Sequence, residues 1–225
     1  MKKTVLITGS TGMVGNHVLK ELLGNKQVGK IISIGRRKTG IKNKKLIEIA
    51  HDNFLDFSTL ESQLQAIDVC IYCIGVYQTS VSKEDFMKIT CDYQKALTDT
   101  LEKTSPDIKF VLFSAAGADN SEKSRMFFAK GKGRAENLLM QTCFPKKYIF
   151  RPGYIHPTTK KRPNGLLYKI FIPMGGFLLK IMPNIGIKDI ELAKSMVRVA
   201  LDEKIIPNTF ENKTIKNIYS QLITG

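Results

Sequence analysis

Acidic side chains are scarce in this sequence: 20 Asp and Glu stand against 35 Lys and Arg, a formal net charge of +15. That imbalance favours polyanions as partners (a phosphorylated cofactor, a nucleic acid, an anionic membrane surface) without choosing among them. No helix-turn-helix, RNP or zinc pattern accompanies the charge, which argues against a dedicated nucleic-acid module. No charge-free apolar run approaches the roughly 20 residues needed to span a bilayer. The longest, Ile170 to Leu179, is ten residues and is broken by a proline and two glycines. Histidine is limited to His17, His51 and His156, which form no metal-ligand spacing with one another or with cysteine, so no metal site is expected. Cysteine is limited to Cys70, Cys73, Cys91 and Cys143, scattered in apolar surroundings. That usage suits a reducing compartment better than a disulfide scaffold, and the chain reads as cytoplasmic. The first residues run straight into a strand-like Lys3-Thr4-Val5-Leu6-Ile7-Thr8 and do not read as a signal peptide.

What is present is ordinary globular material. The 225 residues are 43% hydrophobic and 24% charged, enough for one well-cored domain. Strands are expected at Thr4–Thr8, Ile31–Gly35, Leu46–Ala50, Val69–Ile74, Lys109–Ser114 and Lys147–Arg151. Several are continuous β-branched runs, as expected for strands buried on both faces. Helix patterns fall between them at Gly12–Leu23, Ser58–Gln65, Ser82–Lys103 and Phe127–Gln141. Ser58 precedes Glu61, and Ser82 precedes Asp85, by the three residues of a capping box. Such alternation gives an α/β doubly wound parallel sheet, a Rossmann fold. We place the dinucleotide-binding core at 1–155 and a small C-terminal substrate-side lobe of the same domain at 156–225. In that lobe a helix is expected at about Asp189–Glu203, followed by a tail.

The strongest local signal is Thr8-Gly9-Ser10-Thr11-Gly12-Met13-Val14-Gly15, directly after the first strand and opening the first helix. Gly9 permits the tight turn, Gly12 lets backbone approach a pyrophosphate, and Gly15 allows close helix–strand packing. The diphosphate then rests on the N–H groups of the helix N-terminus. A GxxGxxG pattern alone is weak; strand before and helix after make it a dinucleotide signature. An NAD site usually carries an acidic residue where the second strand ends. Here the strand ends Gly35-Arg36-Arg37-Lys38. Arg36 or Arg37 matches a 2′-phosphate in charge and geometry, so the expected cofactor is NADP(H). Lys42, Lys44 and Lys45 read as a solvated basic loop.

With these residues the chain resembles the short-chain dehydrogenase/reductase superfamily, in its atypical branch near the Tat-interacting-protein-like NADPH-binding oxidoreductases. The likeness covers roughly residues 3 to 155. Beyond the glycine turn and Gly35-Arg36-Arg37, it rests on Asp56-Phe57, Cys73-Ile74-Gly75, Phe113-Ser114-Ala115-Ala116-Gly117-Ala118-Asp119, Lys132-Gly133-x-x-Glu136 and Arg151-Pro152-Gly153. The resemblance implies adenine contact at Asp56 and Phe57, and cofactor contact at Gly75, Lys132, Arg151 and Pro152. Catalytic members use a Ser and a Tyr-x-x-x-Lys: the tyrosine exchanges a proton with the carbonyl oxygen, and the lysine lowers its pKa and binds ribose. Lys132 corresponds to that lysine, but the position four residues earlier is Phe128. Of the serine pair after the fifth strand Ser114 remains, and the second position is Ala115. Another donor, Tyr77 or Tyr154, would have to supply the proton. Two functions therefore stay open: an NADPH-dependent reductase of a small carbonyl compound, and a non-catalytic NADP(H) sensor that engages a protein partner.

Three further features carry less. Cys70-x-x-Cys73 lies within an expected buried strand and reads as inert thiols. His17 reads as structural, and His156 as a candidate wall of the substrate pocket. The apolar stretch Gly165–Pro183 reads first as a lid over that pocket and second as ordinary core. Third, flanked by Lys160, Lys161 and Arg162, it reads as a peripheral contact with a membrane surface.

Overall fold

Short apolar runs such as Val5–Ile7 and Val69–Tyr72 carry no polar face to show to solvent, so they settle at the centre of a sheet covered on both sides. The computed structural model describes residues 1–158, 185–204 and 208–224. Its strands are β1 (Lys3–Thr8), β2 (Val28–Gly35), β3 (Leu46–Ala50), β4 (Val69–Tyr72), β5 (Lys109–Phe113), β6 (Lys146–Arg151), β7 (Tyr154–His156), β8 (Gly186–Lys188) and β9 (Thr209–Glu211). Among the described residues seven of these form one parallel sheet in the order β3-β2-β1-β4-β5-β6-β9; β7 and β8 pair separately. This is the doubly wound Rossmann sheet the alternation predicts. The chain winds outward from β1 to β3, then returns to lay β4 on the other side of β1. That reversal opens a crevice at the C-terminal ends of β1 and β4.

The helices are α1 (Met13–Gly24), α2 (Lys83–Met87), α3 (Tyr93–Thr104), α4 (Phe127–Gln141), α5 (Asp189–Leu201) and α6 (Asn212–Thr224). On one face Val14, Val18, Leu19 and Leu22 of α1 pack with Leu192, Met196 and Val197 of α5. On the other, Leu97 and Leu101 of α3 and Leu139 of α4 cover Leu6, Cys70, Phe110 and Ile149. A π-helical turn over Lys88–Asp92 joins α2 to α3, so the Ser82–Lys103 pattern is one interrupted helix. Ser82 caps it, its hydroxyl accepting the Asp85 N–H at 3.0 Å.

Three expectations need correction. The Ser58–Gln65 helix is a single 3₁₀ turn, Ser58–Leu60, with no serine cap. Asp56 instead accepts the Ser58 N–H at 2.8 Å, a local side-chain bond that competes with helix formation. β4 stops at Tyr72, two residues early, because the chain leaves the ladder to pass the glycine turn. The expected C-terminal tail contains β9 and α6, whose short strand gives little period-2 signal by itself. The Gly165–Pro183 stretch and its flanking Lys160, Lys161 and Arg162 lie outside the described residues.

Candidate functional site

The turn after β1 is built around glycine for steric reasons that can be read atom by atom. Gly9 has φ +73°, and a Cβ there would meet the Cys73 carbonyl oxygen at 2.5 Å. A Cβ on Gly15 would lie 2.2 Å from the Gly9 carbonyl oxygen, so only glycine lets α1 pack down on the turn. Gly12 is different: its φ of −75° suits any residue, and a Cβ would meet Gly9 O at 3.1 Å. It is the N-cap of α1, no side chain caps the helix, and its first turn holds no acidic residue. The N–H groups that every helix leaves over at its start therefore meet no acidic side chain of their own turn. Thr11, Gly12, Met13, Val14 and Gly15 line a cleft of about 840 Å³ at the crevice. Thr8 and Ser10 do not line it. Thr8 is fully buried, and the Ser10 hydroxyl is tied to that of Ser33 on β2 at 2.7 Å, so both shape the turn from below.

At the end of β2, Arg37, Lys38 and Thr39 line the same cleft, whereas Arg36 is exposed outside it. The structure thus brings one of the two expected arginines to the site and adds Lys38. It does not bring Asp56 or Phe57. The Asp56 carboxylate, held below the usual carboxylate range by the backbone and side-chain hydrogen bonds of Ser58, closes the turn below it. Phe57 is buried against His51, ring centres 5.0 Å apart, and shows no face to a ligand.

Opposite the glycine turn stands α4. Gly131 and Gly133 flank Lys132 because neighbours press on both sides. A Cβ at 131 would meet the Phe86 ring at 2.6 Å, and one at 133 the Asp119 carbonyl oxygen at 1.8 Å. The helix consequently seats deep enough for the Lys132 ammonium to come within 3.9 Å of the place a Gly75 Cβ would occupy. Lys132 lines the cleft and is buried. Desolvation pulls its ammonium down to about 8, against the upward pull of Cys91 and Glu136. One turn earlier Phe128 also lines the cleft, its ring 6.0 Å from that of Phe86. Gly75, Tyr77, Pro152 and Tyr154 complete the wall, with the Tyr154 hydroxyl 3.4 Å from His156 Nδ1.

Ser114 and Arg151 do not have the freedom expected of them. The Ser114 hydroxyl, although Ser114 borders the cleft, donates to Glu136 Oε1 at 2.5 Å. Arg151 donates from Nε to the same carboxylate at 2.9 and 3.2 Å, pairs with it again through Nη2, and reaches Glu211 at 3.2 Å through Nη1. Glu136 is fully buried, so this guanidinium compensates a charge that would otherwise be stranded. Arg151 is therefore a tie between β6, α4 and β9 and not a wall of the cleft. Asn120, which also donates to Glu136 at 3.0 Å, belongs to the same knot. Neither its role nor that of Lys38 shows as a local pattern, since both depend on which loops the sheet brings together.

Burial drives the Cys70 thiol far up, and desolvation pushes the half-buried Cys73 thiol, which borders the cleft, up to about 12, so both are held as thiols at neutral pH. His17 sits 3.4 Å from the buried Asp189 carboxylate, which also accepts from Thr158 N and Oγ1 and so links α1 to the start of α5.

Residues 5–126 match the family described as the NAD dependent epimerase/dehydratase family. The chain is 30% identical over 156 residues to Protein HTATIP2 of Rattus norvegicus, covering 68% of this chain and 63% of that protein, so it spans less than two thirds of that relative's length. It is 26% identical over 227 residues to Protein FMP52, mitochondrial, of Meyerozyma guilliermondii, with 94% of each chain covered. It is 31% identical over 160 residues to Protein fmp52, mitochondrial, of Aspergillus niger, covering 67% of this chain and 66% of that one. A short chain dehydrogenase family protein from Francisella tularensis superposes with a TM-score of 0.69 at 15% identity, over 94% of this chain and 96% of that one. The enzyme WbmG of Bordetella bronchiseptica, solved in complex with NAD, superposes with a TM-score of 0.66 at 13% identity, over 100% of this chain and 79% of that one. At such identities the structural likeness speaks for the fold. The cytoplasmic expectation is overturned by the fungal relatives, which are named mitochondrial. Free thiols report reducing surroundings, and more than one compartment offers them.

Proposed function

The chain belongs to the NAD dependent epimerase/dehydratase family, and from that premise we propose that it binds NADP(H) and acts as an oxidoreductase of the atypical short-chain dehydrogenase/reductase type on a small carbonyl compound. One observation carries the reading: a single cleft joins the glycine turn, the cations Arg37 and Lys38, and the buried ammonium of Lys132. In it the α1 N–H groups hold the diphosphate, Arg37 and Lys38 take the 2′-phosphate, and Lys132 binds the nicotinamide ribose. When bound, the cofactor supplies or accepts the hydride. The protein's own task is to orient the carbonyl, exclude water and move a proton at its oxygen. Tyr77 and Tyr154 bring the phenolic hydroxyls that line the cleft and are the candidates for that proton, since Phe128 has none and the Ser114 hydroxyl donates to Glu136.

That same engagement favours a second reading. A cleft with the cofactor elements intact and the usual proton donor absent suits a protein that senses NADP(H) and signals to a partner. Calorimetric titration separates cofactor binding from chemistry. NADPH is expected to bind at least tenfold more tightly than NADH, about 1.4 kcal/mol, because no acidic side chain ends β2. Equal affinities, or a preference for NADH, would remove the NADP(H) reading. Absorbance at 340 nm against a panel of carbonyl compounds then decides between reductase and sensor.

A further inference from the structure

The connection from β2 to β3 covers residues 36–45, contains no helix and carries six cations: Arg36, Arg37, Lys38, Lys42, Lys44 and Lys45. Like charges this dense repel, and a loop of that composition needs fastening if part of it is to face a ligand. Two ties are present. At the far end, Lys45 Nζ donates to the carbonyls of Leu23 and Asn25 at 3.2 and 2.8 Å, where α1 ends. At the near end, Glu48 on β3 accepts the Thr39 N–H on Oε1 at 2.6 Å and the Gly40 N–H on Oε2 at 3.3 Å. Gly40 has φ +77°, so the chain turns sharply at the point of attachment. Thr39, Lys38 and Arg37, the residues just before that turn, are those that line the cleft.

Both carboxylate oxygens are thus occupied by backbone donors. Among the described residues Glu48 forms no ion pair with Arg37, Lys38 or any other cation. Its negative charge orders the loop without neutralising the cations that face the cleft. We infer that Glu48 is a positioning residue for cofactor selectivity: it fastens the β2–β3 loop so that Arg37 and Lys38 form a preorganised clamp for the 2′-phosphate. The inference rests on the NADP(H) reading above. It makes a prediction opposite in sign to simple electrostatics. A carboxylate that merely sat near a phosphate would repel it, and removing the charge would tighten NADPH binding. A carboxylate that holds the clamp in place weakens NADPH binding when it is lost, because the loop must then be ordered at the moment of binding.

The test is calorimetric titration of the full chain with NADPH and with NADH, for wild type, Glu48→Gln and Glu48→Ala. For Glu48→Ala the NADPH Kd is expected to rise about tenfold, about 1.4 kcal/mol, while the NADH Kd stays within about twofold. Glu48→Gln keeps one acceptor for the Thr39 N–H and should fall between wild type and alanine. Tighter NADPH binding in either variant, an unchanged NADPH-to-NADH ratio, or equal weakening of both cofactors overturns the assignment. The two failures are distinguishable. A wild type that prefers neither cofactor removes the NADP(H) reading and this inference with it. A wild type that prefers NADPH, with indifferent variants, removes only the role of Glu48.

Discussion

At the scale of single residues, burial decides what a side chain can do. Lys132 shows it most directly. Its ammonium sits in the cleft wall with no hydrogen-bond partner among the described residues, and desolvation lowers it to about 8 from the ordinary lysine value of 10.5. Between those values the unfolded chain binds more protons than the folded one, so this group's contribution to stability rises with pH across that window. Below pH 8 the fold bears the full cost of the buried charge. Lys132→Met should therefore raise the melting temperature at pH 7. The free-energy gain is at most on the order of 3 kcal/mol, and each kcal/mol is worth about 2–4 °C in a chain of this size. The gain should fade as pH rises from 8 to 10.5. Melting curves of both proteins at pH 7 and pH 10 check this; a gain larger at pH 10 would contradict the assigned cause. Ser114 and Arg151 make the complementary case. Their residue types suit catalysis and phosphate binding, yet the buried Glu136 claims both. Nothing in the local sequence foretells that claim, because it joins residues 22 and 15 positions apart across two elements.

At the scale of elements, the entry into α1 separates two kinds of glycine that the motif alone treats alike. Gly15→Ala puts a methyl 2.2 Å from backbone oxygen that cannot move without dismantling the turn. Gly12→Ala meets its nearest atom at 3.1 Å, with an ordinary φ. The expected outcome is a clean split. Gly12→Ala keeps its melting temperature within a few degrees and loses NADPH binding; Gly15→Ala loses several kcal/mol of stability, the range of severe core overpacking. Thermal melts with NADPH titration would show it. Normal NADPH binding by Gly12→Ala would mean that the turn is structural and holds no diphosphate. The same element-level logic explains Gly131 and Gly133, which let α4 seat against Phe86 and Asp119 and so bring Lys132 to the cleft.

At the scale of the whole molecule, the cleft is a meeting of six chain segments that the parallel sheet brings to one end. The glycine turn supplies residues 11–15 and the loop after β2 supplies residues 37–39. α4 supplies Phe128 and Lys132, the loop after β5 supplies Ser114 and Ala115, the loop after β4 supplies Gly75 and Tyr77, and the stretch after β6 supplies Pro152 and Tyr154. Since Phe128 and Lys132 are one helical turn apart and both line the cleft, a hydroxyl on the ring at 128 would stand on the face that holds the ammonium. Positioned acid catalysis contributes about 10²–10⁴-fold. Wild type is accordingly expected to reduce carbonyl compounds slowly. Phe128→Tyr should raise the rate measurably, and adding Ala115→Ser should raise it further by supplying the hydroxyl that Ser114 spends on Glu136. Steady-state kinetics at 340 nm measure both. Brisk wild-type turnover that Phe128→Tyr leaves unchanged would show that Tyr77 or Tyr154 already serves as donor.

The strand–helix alternation, the glycine turn, the basic end of β2 and a phenylalanine one helical turn before Lys132 are all legible in the sequence alone. Each of these is a local pattern: buried strands are marked by unbroken apolar runs, the turn by glycines spaced three apart between strand and helix, and the absence of a hydroxyl at 128 by the residue type itself. Which of the expected residues meet was settled by long-range packing. It kept Arg37 in the cleft and left Arg36, Asp56 and Phe57 out of it. It turned Ser114 and Arg151 toward Glu136, and it set Glu48 on the loop that carries Arg37 and Lys38. The reason is one of range. Propensity and periodicity act over a turn or a strand, whereas hydrogen bonds to a buried carboxylate are settled by elements far apart in the chain, once the core has fixed their distance.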